Sequence, residues 1–188
     1  MGEKASSFNP PSPPPLRRGL IQVFTGDGKG KTSAAIGTVI RALGHGLKVY
    51  IAFFLKGAHP SGEFHILSRM PGVTMATFGS GGLVDPDNVK AEEKEEAEKG
   101  LAAAREAMLS GKYDMVVLDE LNVAVAFELI SVEDVLKLIE DKPQKVELIL
   151  TGRRADTRLV QAADLVTECL KIKHPYDMGV AMRGGIEF

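Results

Sequence analysis

A glycine-rich stretch near the N-terminus contains the residues whose types and spacing most clearly indicate chemistry. Residues 25–33 read Thr-Gly-Asp-Gly-Lys-Gly-Lys-Thr-Ser, between an apolar run over 20–24 and a segment of helical character over 33–43. A strand, a glycine-rich turn and a helix form the context of a phosphate-binding loop. Such a loop and the following helix N-terminus direct backbone N–H groups at phosphate oxygens. The predicted phosphate-contacting residues are Gly26, Asp27, Gly28, Lys29, Gly30, Lys31, Thr32 and Ser33.

Two side chains of this loop have distinct predicted roles. Lys31 supplies a positive charge to the phosphates, which makes it a candidate catalytic residue, and the Thr32 hydroxyl is a predicted Mg²⁺ ligand. The spacing departs from the usual G-x-x-x-x-G-K-[ST], because Thr25 stands where the first glycine is expected. The loop is therefore either one residue tighter than usual or curled differently. A glycine-rich turn without any ligand is the alternative interpretation.

The composition of the chain excludes several functional classes. Its 188 residues fit one domain, and 44% apolar with 26% charged residues is an ordinary globular balance. A net charge of −2 gives no basic surface for nucleic acid, and no apolar run is long enough to cross a membrane. The single cysteine, Cys169, excludes an internal disulfide and is interpreted as a small core residue. We expect a cytoplasmic protein.

Strand-like and helix-like segments alternate after residue 18. Predicted strands cover 20–24, 48–54, 73–78, 113–120, 145–150 and 165–172. Predicted helices cover 33–43, 61–70, 88–110, the segment between Ser131 and Pro143, and the segment from Asp156 to Ala163. This alternation predicts an α/β fold with a mainly parallel sheet flanked by helices, in which ligands bind at the C-terminal ends of the strands.

The first 18 residues differ from the rest of the chain. The run Asn-Pro-Pro-Ser-Pro-Pro-Pro over 9–15 is incompatible with a helix or a central strand. We interpret 1–18 as a flexible proline-rich arm, with recognition of its polyproline II conformation by a partner as the alternative, and 19–188 as the functional domain.

A second chemical signal lies at the ends of two later strands. The apolar strand over 113–120 ends in Asp119 and Glu120, and the strand over 145–150 runs into Thr-Gly-Arg, which contains Arg153. A carboxylate at a strand end completes the Mg²⁺ site of many phosphate-loop proteins. Glu120 either polarises a water molecule or orients its neighbour. Asp119 and Glu120 are therefore predicted metal ligands, and Arg153 is a predicted nucleotide contact.

These features predict a nucleoside triphosphate with Mg²⁺ or Mn²⁺, but they do not identify the bond that breaks. Water could attack the γ-phosphate, or a substrate hydroxyl could do so. In the third alternative, a nucleophile attacks the C5′ carbon and triphosphate leaves. Lys31 and the metal ion would neutralise developing phosphate charge in all three cases.

Several motifs, taken in order, make the sequence similar to the ATP:corrinoid adenosyltransferases of the cobalamin pathway. The loop and the closing Gly-Ile-Glu-Phe are the most specific among them. The matching segments are 19–35, Phe-Leu-Lys-Gly over 54–57, Val-Leu-Asp-Glu-Leu-Asn over 117–122, Thr-Gly-Arg over 151–153, Lys-His-Pro-Tyr-Asp-Met-Gly-Val over 173–180 and Arg-Gly-Gly-Ile-Glu-Phe over 183–188.

The resemblance implies a RecA-like phosphate-loop NTPase fold and a homodimer. It implies that ATP binds in the reverse sense, with the loop holding the terminal phosphate, which accounts for the unusual spacing. Cobalt(I) of a reduced corrinoid then attacks C5′ of ATP and triphosphate leaves. The nucleophile belongs to the corrinoid, so the protein positions the reactants, and we expect a flavoprotein to reduce the cobalt.

One part of the family pattern is missing. Well-known members carry a Phe and a Trp, two residues apart, that displace the lower axial ligand of the corrinoid, whereas this chain contains no tryptophan. Phe78, with Leu83 or another apolar residue, is the candidate replacement, and the adjoining glycine-rich loop over 79–82 is a candidate substrate contact. His174 is either structural or part of the site. The alternative functions are a RecA-type ATPase and a nucleotide-dependent corrinoid-binding module.

Overall fold

A single sheet of six parallel strands forms the centre of the protein in the computed structural model, which describes residues 16–56, 61–82 and 84–187. The strands are β1 (Ile21–Thr25), β2 (Val49–Phe54), β3 (Val73–Phe78), β4 (Met115–Asp119), β5 (Glu147–Thr151) and β6 (Leu165–Glu168). Their order across the sheet is β3-β2-β4-β5-β1-β6, and every pair of neighbours is parallel. This confirms the predicted α/β fold with a mainly parallel sheet.

Helices cover both faces of the sheet. They are α1 (Lys31–Gly44), α2 (Gly62–Leu67), α3 (Ala91–Leu109), α4 (Leu121–Ala126), α5 (Val132–Glu140) and α6 (Thr157–Ala162), with a short 3-10 helix over Pro175–Met178. Apolar residues of α1 and α2 pack on one face, and those of α3 to α6 pack on the other. Among the helices described, none is long and apolar enough to cross a membrane.

The central strands are buried on both faces, as their unbroken apolar sequences predict. All residues of β2, β4 and β5 are buried. Helix α3 buries Ala97, Ala104 and Met108 against the sheet. On its exposed side Glu95 and Lys99 form an ion pair, with 3.0 Å between carboxylate and ammonium.

The prediction for the last strand was wrong at its C-terminal end. The strand ends at Glu168 rather than at residue 172, and all four of its residues are exposed because β6 is an edge strand paired only with β1. Cys169 is half-buried rather than a core residue. Its backbone continues the pairing, since its N–H donates to the Thr25 carbonyl at 2.8 Å and its carbonyl accepts from the Gly28 N–H at 2.6 Å.

Helix α4 was not predicted, because its six residues follow the Asp-Glu pair without a typical capping residue. The proline-rich segment 1–15, Gly57, Leu83 and Phe188 lie outside the described residues, so the flexible arm and the domain boundary at residue 19 stay predictions.

Candidate active site

The loop between β1 and α1 is held closely against the segment that follows β6. A Cβ atom on Gly26 would lie 2.6 Å from the Cys169 carbonyl oxygen, and one on Gly28 would lie 2.5 Å from the Leu170 carbonyl oxygen. Neither position can therefore carry a side chain without moving backbone. Because the Gly28 N–H already donates to Cys169, these two glycines have a packing role in addition to the predicted phosphate role.

Two lysines of the loop donate hydrogen bonds within the protein. Lys31 is buried, and its Nζ donates to the Gly28 carbonyl at 2.7 Å. Burial, followed by the nearby Arg153 guanidinium, lowers the pKa of Lys31. Lys29 is exposed and its Nζ donates to the Ile186 carbonyl at 2.7 Å, with Glu187 Oε1 at 3.2 Å. The loop is thus joined to the C-terminal segment through Lys29.

The predicted carboxylates lie at the end of β4, and β5 separates that strand from the phosphate-loop strand. Asp119 is buried, and the Thr151 hydroxyl at the end of β5 donates to its Oδ1 at 2.7 Å. The same hydroxyl accepts from the Glu120 N–H at 3.0 Å. Thr151 therefore holds both acidic residues in place. Its position in the Thr-Gly-Arg motif was the sequence signal for this role, but the contact itself was not predicted.

Glu120 has a strained backbone, with φ of 63°. Residues other than glycine rarely adopt this left-handed conformation, and such strain concentrates at functional sites. Burial, followed by the charge of Asp119, raises the pKa of Glu120. A cation placed beside the two carboxylates would relieve this repulsion.

Lys56 lies next to the Asp119 carboxylate and forms ion pairs with it and with Glu63. Neither Lys56 nor Glu63 was identified from the sequence as part of the site. Lys56 Nζ lies 2.8 Å from Asp119 Oδ2 and 3.5 Å from Glu63 Oε1. Burial opposes the charged form of Lys56, but Asp119, Glu63 and Glu120 outweigh it and raise the pKa of Lys56. The Phe-Leu-Lys-Gly motif at the end of β2, which contains Lys56, was the sequence feature that could have pointed to this residue.

The donors near Asp119 suit a hard divalent cation. Asp119 Oδ2 is buried and accepts no hydrogen bond of good geometry, and the residues Glu120 and Thr32 both line the adjoining cavity. No group of three or more His, Cys, Asp or Glu side chains among the described residues could hold a metal unaided. This fits Mg²⁺, which usually combines one or two carboxylates with phosphates and water.

A cavity of about 1120 Å³ lies between the phosphate loop and the C-terminal segment. The predicted residues Gly28 to Ser33 line it together with Glu120 and Arg153, whereas Gly26 and Asp27 do not. Seven lysine or arginine residues line the cavity against four carboxylates, so its wall carries an excess of positive charge. They are Lys29, Lys31, Lys56, Arg153, Lys171, Lys173 and Arg183, against Glu63, Glu120, Asp177 and Glu187.

Arg153 follows a glycine that the packing requires. Gly152 has φ of 126°, and a Cβ atom there would lie 3.0 Å from the Val123 nitrogen. The buried Asn122 side chain donates from Nδ2 to the Gly152 carbonyl at 3.2 Å. The first turn of α4 therefore fixes the backbone that presents Arg153 to the cavity.

The C-terminal segment contributes His174 and Tyr176 to the cavity wall. His174 caps the 3-10 helix, because its Nδ1 accepts from the Tyr176 N–H at 3.2 Å. His174 thus has a structural contact and also lines the cavity, and its predicted place in the functional site stays a prediction.

Phe78 lies apart from this cavity. Its ring centroid is 6.1 Å from that of Phe54, and a Cβ atom on Gly100 would lie 3.0 Å from the Phe78 ring. A small hollow beside it is lined by Gly79, Ser80 and Gly82 together with other residues. The structure therefore does not bring Phe78 to the phosphate loop, and its predicted role stays a prediction. Leu83 lies outside the described residues.

Comparison with known proteins identifies the family. The model of the family described as ATP:corrinoid adenosyltransferase BtuR/CobO/CobP matches residues 17–188. The chain belongs to this family. A protein of Escherichia coli (strain K12) named Corrinoid adenosyltransferase is 38% identical over 178 residues, which cover 91% of this chain and 86% of that protein. Corrinoid adenosyltransferase CobA of Salmonella typhimurium (strain LT2) is 37% identical with the same coverage.

A third relative, the Corrinoid adenosyltransferase of Pseudomonas aeruginosa (strain PAO1), is 36% identical over 172 residues, covering 91% of this chain and 84% of that protein. The match begins just after the proline-rich run and continues through the C-terminal segment that lines the cavity. These findings confirm the resemblance inferred from the phosphate loop and the closing motif.

Proposed function

We propose that this protein transfers the 5′-deoxyadenosyl group of ATP to the cobalt(I) of a reduced corrinoid, cobalamin or a precursor, and releases triphosphate. The observation that carries the proposal is the basic cavity between the phosphate loop and the C-terminal segment, because the motifs shared with the adenosyltransferase family form its walls. A cavity with this charge is suited to a triphosphate that leaves as one unit.

The phosphate loop is the proposed binding site for ATP. Residues 28–33, which line the cavity, contact phosphates in this proposal. Lys31 turns from the Gly28 carbonyl to a phosphate oxygen, and Arg153, which lines the same cavity, reaches the nucleotide. A buried ammonium group stabilises negative charge more strongly than an exposed one, because less water competes with it. Lys31 is therefore the proposed main stabiliser of the leaving triphosphate.

Thr32, Asp119 and Glu120 are the proposed residues that hold Mg²⁺ or Mn²⁺. The metal ion would supply charge neutralisation at the phosphates. Thr151 keeps Asp119 in position through its 2.7 Å hydrogen bond, so the site does not have to reorganise its carboxylate when the cation enters.

The corrinoid brings its own nucleophile, so the chain needs to orient the cobalt toward C5′ and to exclude water. We propose that Phe78, with Leu83 or another apolar residue, displaces the lower axial ligand of the corrinoid. Phe78 ends β3 beside the end of β2, at the same edge of the sheet as the phosphate loop. This location is compatible with a substrate that extends from the cavity toward β3.

We further propose that the protein is a homodimer, that a flavoprotein reduces the corrinoid, and that the reaction takes place in the cytoplasm. An exposed apolar set along β6 and the C-terminal segment supports a contact with a second copy. Its members are Leu165, Val166, Leu170, Ile172, Met178 and Met182. A single cysteine among 188 residues is compatible with a reducing compartment.

The proposed reaction is tested by incubating the protein with MgATP and chemically reduced cobalamin under anaerobic conditions. We expect the absorption spectrum of adenosylcobalamin to appear in proportion to the ATP consumed. Corrinoid-independent release of ADP and phosphate would instead identify a RecA-type ATPase. Binding of both ligands without any turnover would identify a nucleotide-dependent corrinoid-binding module.

A further inference from the structure

The backbone at the end of β2 turns Lys56 back over the sheet. Leu55 has φ of 58°, a left-handed conformation that is strained for a residue other than glycine. Gly79 packs closely against this turn, since a Cβ atom on Gly79 would lie 3.3 Å from the Leu55 Cα atom. Lys56 Nζ consequently lies 4.7 Å from the centroid of the Phe53 ring. Phe53 pairs in register with Asp119, so the ammonium group reaches the end of β4.

The ammonium group of Lys56 lies against the one Asp119 oxygen that Thr151 does not hold. Thr151 donates to Oδ1, whereas Lys56 Nζ is 2.8 Å from Oδ2, which accepts no hydrogen bond of good geometry. Asp119 is 1% exposed and Lys56 is 26% exposed at the side chain. The carboxylate is therefore almost inaccessible to water, while its cationic partner borders the cavity.

A divalent cation at Asp119 would compete with Lys56 for that oxygen. Mg²⁺ binds carboxylate oxygens at about 2.0–2.1 Å, so a metal ion on Oδ2 would lie within about 5 Å of an ammonium group left in its present position. Two positive charges at that separation repel strongly in a partly buried site. The side chain of Lys56 can leave, because it is flexible and borders the cavity, whereas Asp119 is fixed by Thr151.

We propose that Lys56 is the counter-ion of Asp119 while nucleotide and metal are absent, and that it moves to the triphosphate when a divalent cation takes over Oδ2. Glu63, 3.5 Å from Nζ, is the second anchor along this movement. Lys56 thereby weakens metal binding in the absence of nucleotide and adds a positive charge to the phosphates once both are bound. This inference rests on the metal site proposed above at Thr32, Asp119 and Glu120.

The first test measures Mn²⁺ binding to the nucleotide-free protein by electron paramagnetic resonance. We expect Lys56→Met to bind Mn²⁺ at least about tenfold more tightly than the unsubstituted protein, because the competing charge is gone. Lys56→Arg should stay within about threefold of the unsubstituted protein. Lys173→Met is the matched control, since Lys173 lines the same cavity without the Asp119 contact seen for Lys56, and it should change the affinity by less than about threefold.

The second test measures binding of inorganic triphosphate with Mn²⁺ present at saturation. Here Lys56→Met should weaken binding by about tenfold, because the lysine is then missing from the phosphates. Opposite signs in the two experiments distinguish the proposed exchange from a structural role, which would not tighten metal binding and weaken phosphate binding together. Lys56→Gln serves as a second variant if the methionine variant does not fold.

The outcomes separate this inference from the metal site on which it rests. If Asp119→Asn does not weaken Mn²⁺ binding, the proposed metal site is wrong and the role of Lys56 is wrong with it. If Asp119→Asn weakens binding but Lys56→Met binds Mn²⁺ no more tightly than Lys173→Met, the metal site stands and the exchange is refuted. Unchanged triphosphate binding in Lys56→Met would also refute the exchange.

Discussion

Replacing Thr151 by valine tests whether one hydroxyl group holds the acidic end of the site. Valine has nearly the same shape and is favourable in a strand, so the change removes hydrogen bonds and little packing. Two contacts are lost, the donation to Asp119 Oδ1 at 2.7 Å and the acceptance from the Glu120 N–H at 3.0 Å. Thr151 and Asp119 are fully or almost fully buried, at 0% and 1% exposure. Water can therefore replace neither contact efficiently.

The expected loss of stability follows from these two contacts. A hydrogen bond to a charged group contributes about 1.5–3 kcal/mol, and an unpaired buried group costs about 1–3 kcal/mol. Because the two effects overlap, we expect Thr151→Val to lower the free energy of unfolding by about 2–4 kcal/mol. Thr151→Ser keeps the hydroxyl and loses one methyl group, which should cost about 1 kcal/mol.

Urea unfolding at pH 7, without nucleotide or metal, measures both variants on the same scale. The linear extrapolation gives the free energy of unfolding, provided that the slope with denaturant is the same in all three proteins. If Thr151→Val is no less stable than Thr151→Ser, the hydroxyl does not hold Asp119 and Glu120. The account of a pre-positioned carboxylate would then be wrong.

Three further substitutions, one of them with a control substitution, test other parts of the protein. Lys31→Ala should reduce the adenosylation rate at least about 100-fold, because it removes the buried charge facing the leaving phosphates, and near-normal turnover would exclude that role. Gly28→Ala should destabilise the protein by at least about 1–3 kcal/mol in thermal unfolding, because its Cβ atom would lie 2.5 Å from the Leu170 carbonyl oxygen. Gly37→Ala is the control, since nothing lies within 4 Å of its Cβ position in α1, and it should be stabilising. Phe78→Ala should slow the reaction that starts from cobalt(II) more than the reaction of pre-reduced cobalt(I), and equal losses would count against its role at the axial ligand.

Local sequence patterns predicted the buried elements well, because those elements are determined by their own composition. Six consecutive apolar or aromatic residues form β2, and all six are buried. The phosphate loop was identified by residue type and spacing alone. The predicted start of α5 is confirmed because Ser131 accepts from the Asp134 N–H at 3.1 Å, a local capping contact.

The sequence could not predict contacts that depend on strand order. Thr151 reaches Asp119 only because β5 lies beside β4, and Lys56 does so because β2 lies on the other side. Both are long-range consequences of the sheet. The exposure of β6 has the same cause, since Leu165 and Val166 form an apolar pair of a kind typical of buried strands but lie at an edge. Strand order is a property of the whole fold, and no local pattern encodes it.

The location of the C-terminal segment also could not be predicted from local sequence patterns. Its sequence has no clear period, and only the structure shows that it lines the same cavity as the phosphate loop. The link from Lys29 to Ile186 and Glu187 joins residues that are more than 150 positions apart. The resemblance to the family identified this segment as important, but its location required the fold.

The central claim is that the triphosphate of ATP is released as one unit while the adenosyl group moves to cobalt. Phosphorus-31 nuclear magnetic resonance of a reaction with MgATP and cobalt(I)alamin tests it most directly, because it distinguishes triphosphate from ADP and orthophosphate. We predict one triphosphate for each adenosylcobalamin formed, with product formation lost when the corrinoid is omitted. Formation of ADP and orthophosphate as the primary products would contradict the proposed reaction and the assigned role of the basic cavity.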